Sequence, residues 1–202
     1  LVKEWSKVEV DPKFDEFFFQ LNNALLDKNK NPQQALVVFS ESKETTAYLM
    51  ERLHDKGFRD VLEVNAENRN RLKNIIRENF DANIKRSDYK SDYNIVISTE
   101  VLAEGVNLHR SNTIVNYDTP WNSTRLMQRI GRVNRVGSTA DKVYIYNFFP
   151  TAKVNNDIEL EKKAVMKLQA FHSALGEDSQ IYSTVEETES FGLFDKNIEE
   201  ER

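Results

Sequence analysis

The segment QRIGRVNRVG, residues 128–137, concentrates the chemistry of this sequence. Arg129, Arg132 and Arg135 recur every three residues, so on a helix they share one broadly connected stripe, and no Asp or Glu lies within the segment. On a solvated helix such like charges repel by only about a few tenths of a kcal/mol per pair, so an ordinary basic face is one reading. The other is that an anion reaches the guanidiniums from outside the chain. Gly131 shifts the balance toward the second, because a glycine inside a helical run costs roughly 1 kcal/mol against Ala and suggests a close approach to the backbone.

Complete catalytic constellations of the common kinds are missing. None of the six glycines is followed by Lys, so the phosphate-cradling GxxxxGK[ST] loop is absent. The Asp15-Glu16 pair could imitate a magnesium-binding strand end, but it sits inside a helical period. No glycine-flanked serine offers a nucleophile elbow. The chain has no cysteine, and His54, His109 and His172 are too far apart for a local metal motif. These features lead us to expect a metal-free cytoplasmic protein. No apolar run approaches the roughly 20 residues a membrane-spanning helix needs. The start, LVKEWSKVEV, has neither an initiator Met nor a signal-peptide pattern, and reads as part of a longer chain.

The elements that must position the arginines alternate. DPKFDEFFFQLNNALLDKN opens on an Asp-Pro start signal and repeats apolar residues at Phe14, Phe17, Phe18, Leu21 and Leu25, the spacing of an amphipathic helix. ALVVFS (35–40) reads as a strand, followed by a helix that Ser42 can cap and Gly57 can end. The pattern recurs with strands at 60–65, 93–99, 112–118 and 142–149, each followed by a helical stretch, of which EVLAEG is the shortest. Five strands alternating with helices predict an α/β fold, a mainly parallel sheet with helices on both faces. Ligands in such folds gather at the carboxyl ends of the strands, here Ser40, Asn65, Thr99 to Gly105 and Asp118 to Asn122.

Charge separates the two ends of the chain. Residues 151–202 carry 12 acidic and 6 basic residues, whereas 1–150 carry 21 acidic and 22 basic ones. The overall charge of −5 therefore belongs to the tail, and an anionic partner for the rest is not excluded. We read residues 1–150 as one domain and 151–202 as an acidic C-terminal extension, partly helical and otherwise irregular.

QRIGRVNR resembles the Q-x-x-G-R-x-x-R signature, the sixth motif of the superfamily 2 helicases and translocases, carried on their second RecA-like domain. STEVLAEGVNL (98–108) is similar to the fifth motif, NYDTPWN (116–122) to the segment between them, and ALVVFSES (35–42) to the fourth, in the family's order. The D-x-P-W-N block leading into QRIGR is most similar to the bacterial members of the Swi/Snf-type branch. The DEAD-box branch places His where this chain has Gln128. The likeness covers about residues 12–150. The chain departs from the pattern at Ala66 and Lys73, where relatives carry Gly and Arg, and at Ser138, often Gln in Swi/Snf members.

The resemblance implies a RecA-like three-layer sandwich and half of an ATP-driven motor. A first RecA-like domain of the same polypeptide would hold ATP and Mg²⁺, and this domain would supply Arg132 and Arg135 to the transferring phosphoryl group. Gln128, Gly131, Gly105 and Asn107 would line the nucleotide, although Gly105 and Asn107 also fit an ordinary tight turn. Ser40 and Thr99 would bond the phosphate backbone of nucleic acid, double-stranded DNA by the Swi/Snf likeness. Arg129 falls outside the signature's arginine positions and reads as structural or as a sheet-edge charge. Trp121 could stack a base or pack beneath the sixth-motif helix. The alternative to a motor is a non-catalytic RecA-like scaffold or nucleic-acid-binding module.

Overall fold

Local side-chain chemistry starts and stops the helices. In the computed structural model, which describes residues 11–148 except 104, 121 and 139, Asp11 accepts the amides of Lys13 and Phe14 at 3.0 and 3.1 Å. With Pro12 in the first turn, this cap begins α1 (Pro12–Gln20). A π-helical turn, Leu21–Leu25, continues it. There the amides of Asn22 and Asn23 each donate to the carbonyl four residues back, at 2.7 Å, and compete with the helix ladder. Ser42 caps α2 (Lys43–Asp55) by accepting from the Thr45 amide at 3.0 Å. The helix ends as expected at Gly57, whose φ of 93° lets Gly57 and Phe58 donate back to His54 and Leu53.

Five short strands, β1 (Leu36–Phe39), β2 (Val61–Val64), β3 (Ile95–Ser98), β4 (Thr113–Asn116) and β5 (Tyr144–Asn147), form one parallel sheet in the order β2-β3-β1-β4-β5. Alternating strand residues feed two cores. Leu36, Val38, Ile95, Ile97 and Val115 pack with Phe14, Phe17 and Leu25 below, and with Leu49 and Leu53 of α2. Val37, Phe39, Val96 and Ile114 pack on the other face with Ile76 and Phe80 of α3 (Arg69–Phe80) and with Leu126, Ile130 and Val133 of α4 (Ser123–Val133). Each such fully buried side chain contributes about 1.5–3 kcal/mol. This is the RecA-like three-layer architecture. No helix among the described residues is long and apolar enough to cross a membrane. The expected extension at 151–202 and Trp121 lie outside the described residues.

The strand order decides what meets at the carboxyl end of the sheet. β1 lies between β3 and β4, with Phe39 paired to Ser98 on one side and Asn116 on the other. The loops that follow these three strands, beginning at Ser40, Thr99 and Tyr117, therefore emerge side by side. The stretch read as the short helix EVLAEG is a single 3-10 turn, Glu100–Leu102.

Candidate functional site

Arg129 on α4 sits at the centre of these loops. Its side chain is fully buried. Nη1 donates to Asn116 Oδ1 at 2.9 Å and to the Asp118 carbonyl at 3.1 Å. Nη2 donates to Glu41 Oε1 at 2.9 Å and to Glu100 Oε1, which also accepts from Nε at 2.7 Å. The guanidinium lies over the Phe39 ring, 5.2 Å from its centroid. The segment 128–137 has no acid of its own, but the fold brings two to Arg129 from 88 and 29 residues away. Arg129 is thus not one of a set of unneutralised guanidiniums. It is a structural tie between the ends of β1, β3 and β4.

Arg135 is in a different state. It is exposed, just beyond α4, and is fixed by neutral acceptors alone among the described residues: Nε donates to the Gly131 carbonyl at 2.9 Å and Nη1 donates to Asn107 Oδ1. Arg132 is half-buried in the last turn of α4, and its carbonyl accepts the Leu108 amide at 2.9 Å, binding the helix to the loop before β4. Gln128 is half-buried on the same helix, and its amide makes no hydrogen bond among the described residues.

The close approach expected at Gly131 does not come from the described residues. A Cβ built there would meet nothing within 4 Å. Gly105 has a φ of 72°, the left-handed turn conformation, and a Cβ there would press on the Arg69 guanidinium. Asn107 has both polar atoms committed. Oδ1 takes Arg135, while Nδ2 donates to Asp81 Oδ2 at 3.2 Å. Its amide thus links Asp81 to Arg135.

Ser40 departs from the expectation of a phosphate-backbone contact. It is fully buried, and its hydroxyl donates to Asp118 Oδ2 at 2.5 Å. Asp118 also accepts Lys13 Nζ at 2.6 Å and the Glu41 amide at 3.3 Å. Burial pushes its carboxyl upward, but the bonds from Lys13 and Ser40 outweigh burial and hold it below the usual carboxylate range. Thr99 is half-exposed at this end of the sheet; its carbonyl accepts from the Ser98 hydroxyl at 2.9 Å, while its own hydroxyl forms no hydrogen bond among the described residues.

Four carboxylates, Glu41, Glu100, Asp118 and Asp81, complete the site; the sequence places Glu100 and Asp118 at strand ends without giving them a role, and does not single out Glu41 or Asp81. Three of them follow strands β1, β3 and β4 directly, which was the available signal. Asp81 ends α3 and has no motif of its own. Beside it lies His109, fully buried, with neither ring nitrogen hydrogen-bonded and Nδ1 3.7 Å from Asp81 Oδ1. Burial lowers the imidazole's pKa despite the nearby carboxylate, so the ring is neutral at neutral pH.

Residues 18–137 match the family described as the helicase conserved C-terminal domain. An uncharacterized ATP-dependent helicase of Bacillus subtilis, YqhH, is 31% identical over 162 residues, which cover 80% of this chain and 27% of that protein. The chain thus spans about a quarter of that relative's length. Among solved structures, the C-terminal part of the Fun30 ATPase domain superposes with a TM-score of 0.57 at 19% identity, covering 75% of this chain and 45% of that one. S. cerevisiae Dbp5 bound to RNA and ADP BeF3 superposes at 0.53 with 23% identity, covering 75% and 36%. At these identities the structural likeness speaks for the fold.

Proposed function

The chain belongs to the helicase conserved C-terminal domain family, and on that premise we propose that it is the second motor domain of an ATP-dependent helicase or translocase acting on double-stranded DNA. The observation that carries this reading is Arg135, an exposed guanidinium immobilised by an amide and a carbonyl, with no carboxylate among the described residues to quench it. Such a group stabilises charge on a transferring phosphoryl group and needs no rearrangement to do so. Arg132, one helical turn earlier, is assigned to the same phosphate. A non-catalytic scaffold gains nothing from a guanidinium held open in this way.

No cluster of acidic and histidine side chains among the described residues could hold a metal ion. By family membership ATP and Mg²⁺ are assigned to a first RecA-like domain, and this chain's part to its arginines, amides and backbone. Gln128, Gly131 and Gly105 are proposed to line the nucleotide, and Asn107 to act through Arg135. Thr99 is the proposed contact to the DNA backbone. Ser40 acts behind it by fixing Asp118.

Gly131 supplies the experiment. Because open space surrounds the position, Gly131→Ala is expected to leave the chain as stable as before, or more stable by up to about 1 kcal/mol from helix propensity. The same substitution in a polypeptide that also carries the first motor domain is expected to lower DNA-stimulated ATPase at least about tenfold, because the methyl occupies the path of the nucleotide or the facing domain. Urea unfolding and phosphate release check the two halves. Full ATPase with unchanged stability would remove Gly131 from the nucleotide site.

A further inference from the structure

The carboxylate at the end of α3 is linked to the exposed arginine through a single amide. Asp81 is 8% exposed, and its two oxygens are divided. Oδ1 accepts the Asn83 amide at 2.8 Å, and Oδ2 accepts Asn107 Nδ2 at 3.2 Å. On its other side Asn107 accepts Arg135 Nη1. An ionised carboxylate only accepts and a guanidinium only donates, so the residue between them must do both. Asn fulfils this in one orientation, with Nδ2 toward Asp81 and Oδ1 toward Arg135, and Asp81 thereby fixes which way the amide points.

We propose that Asp81 is a positioning residue for Arg135, acting through Asn107 to hold the guanidinium in place while keeping negative charge one residue away from it. The inference rests on the reading of Arg135 as the arginine that meets the phosphoryl group. A carboxylate at 107 would hold the guanidinium more tightly but neutralise it. An amide backed by Asp81 fixes its direction and leaves its charge for the phosphate. The buried neutral ring of His109 packs beside this link without hydrogen-bonding to it.

The donor and acceptor pattern prescribes a cycle of variants. In Asp81→Asn, one amide oxygen must serve both Asn83 and Asn107, so one bond is lost. In Asn107→Asp, two carboxylates face each other. The double variant Asp81→Asn with Asn107→Asp restores every bond: Asn at 81 accepts from Asn83 and donates to the new carboxylate, which accepts Arg135. The Arg135 Nε–Hε resonance of the 202-residue chain reads the geometry directly, and thermal melting establishes that each variant is folded. Hydrogen exchange at Nε–Hε is expected to accelerate roughly tenfold in Asp81→Asn, to stay near the wild-type rate in Asn107→Asp, whose carboxylate itself pairs with Arg135, and to return to the wild-type rate in the double. Should Asp81→Asn fail to fold, Asn107→Ala, which cuts the link without opposing two charges, must loosen Arg135 in the same way.

In the polypeptide with both motor domains, maximal ATPase is expected to fall about 10- to 100-fold in the singles. It is expected to stay low in the double, where the guanidinium is ordered but neutralised. An Nε–Hε signal in folded Asp81→Asn and Asn107→Ala chains that matches wild type overturns the positioning role. If instead the exchange cycle holds while Arg135→Ala leaves ATPase unchanged, Asp81 still positions Arg135 and it is the proposed function that fails.

Discussion

Arg135→Lys is expected to lower the maximal DNA-stimulated ATPase of the two-domain polypeptide by about 10³-fold while nucleotide binding changes only a few-fold. Lysine keeps the charge but loses the planar fork. Arg135 uses that fork to donate through Nε to Gly131 and through Nη1 to Asn107, and still has donors left for a phosphate oxygen. A single ammonium on a flexible stem cannot make those two bonds and remain aimed. Binding draws most of its energy from the domain that holds the phosphates, so the loss falls on the hydrolysis step. Phosphate release across a DNA titration separates this from a defect in track binding, for which Thr99→Val is the control. That variant is expected to shift the DNA midpoint and spare the plateau. If Arg135→Lys moved only the midpoint, Arg135 would belong to the nucleic-acid surface.

Arg129→Met is expected to destabilise the chain by about 3 kcal/mol, read as a lower midpoint with unchanged slope in urea unfolding. Methionine keeps the aliphatic stem but ends where Nε stands, so the loss combines the hydrogen bonds with the contact of the guanidinium on Phe39. Asn116 Oδ1, in a fully buried residue, is left without its donor. Glu41 and Glu100, with side chains 39% and 29% exposed, can recover some hydration, which keeps the cost from rising further. Arg129→Lys is expected to recover little, because one ammonium cannot reach the ends of three strands at once. Stability equal to wild type would contradict the role of Arg129 as the tie between the loops.

What could be read from the sequence was governed by local chemistry. Asp11 with Pro12, Ser42 and Gly57 set helix ends through bonds to residues within a few positions, and the structure shows them doing so. Short continuous apolar runs alternating with helical stretches announced a parallel sheet buried on both sides. The apolar runs overstate strand length, as in 112–118 for the four-residue β4: the Tyr117 amide still donates to the Phe39 carbonyl at 2.8 Å, but the strand ends at Asn116. Strand order could not be read, since pairing of β1 with β3 and β4 joins residues some sixty to eighty positions apart. The site followed the same division. Arg132, Arg135, Gly131 and Gln128 stood out because they share one helix and its end. The partners that distinguish a quenched Arg129 from an open Arg135 come from distant strand ends and could be found only in the folded chain. The partner of Ser40 was hidden for the same reason, since the residue that takes its hydroxyl, Asp118, lies 78 positions away.

The central claim is that this chain is half of a composite ATPase site, and separating the halves tests it most directly. Steady-state phosphate release is to be measured for the 202-residue chain alone, for a first RecA-like domain alone, and for the two in one polypeptide, each with Mg²⁺ and saturating double-stranded DNA. No turnover is expected from this chain, little from the first domain, and DNA-stimulated hydrolysis only when they are joined. Magnesium-dependent hydrolysis by this chain alone, or a first domain that reaches the full rate without it, would contradict the account.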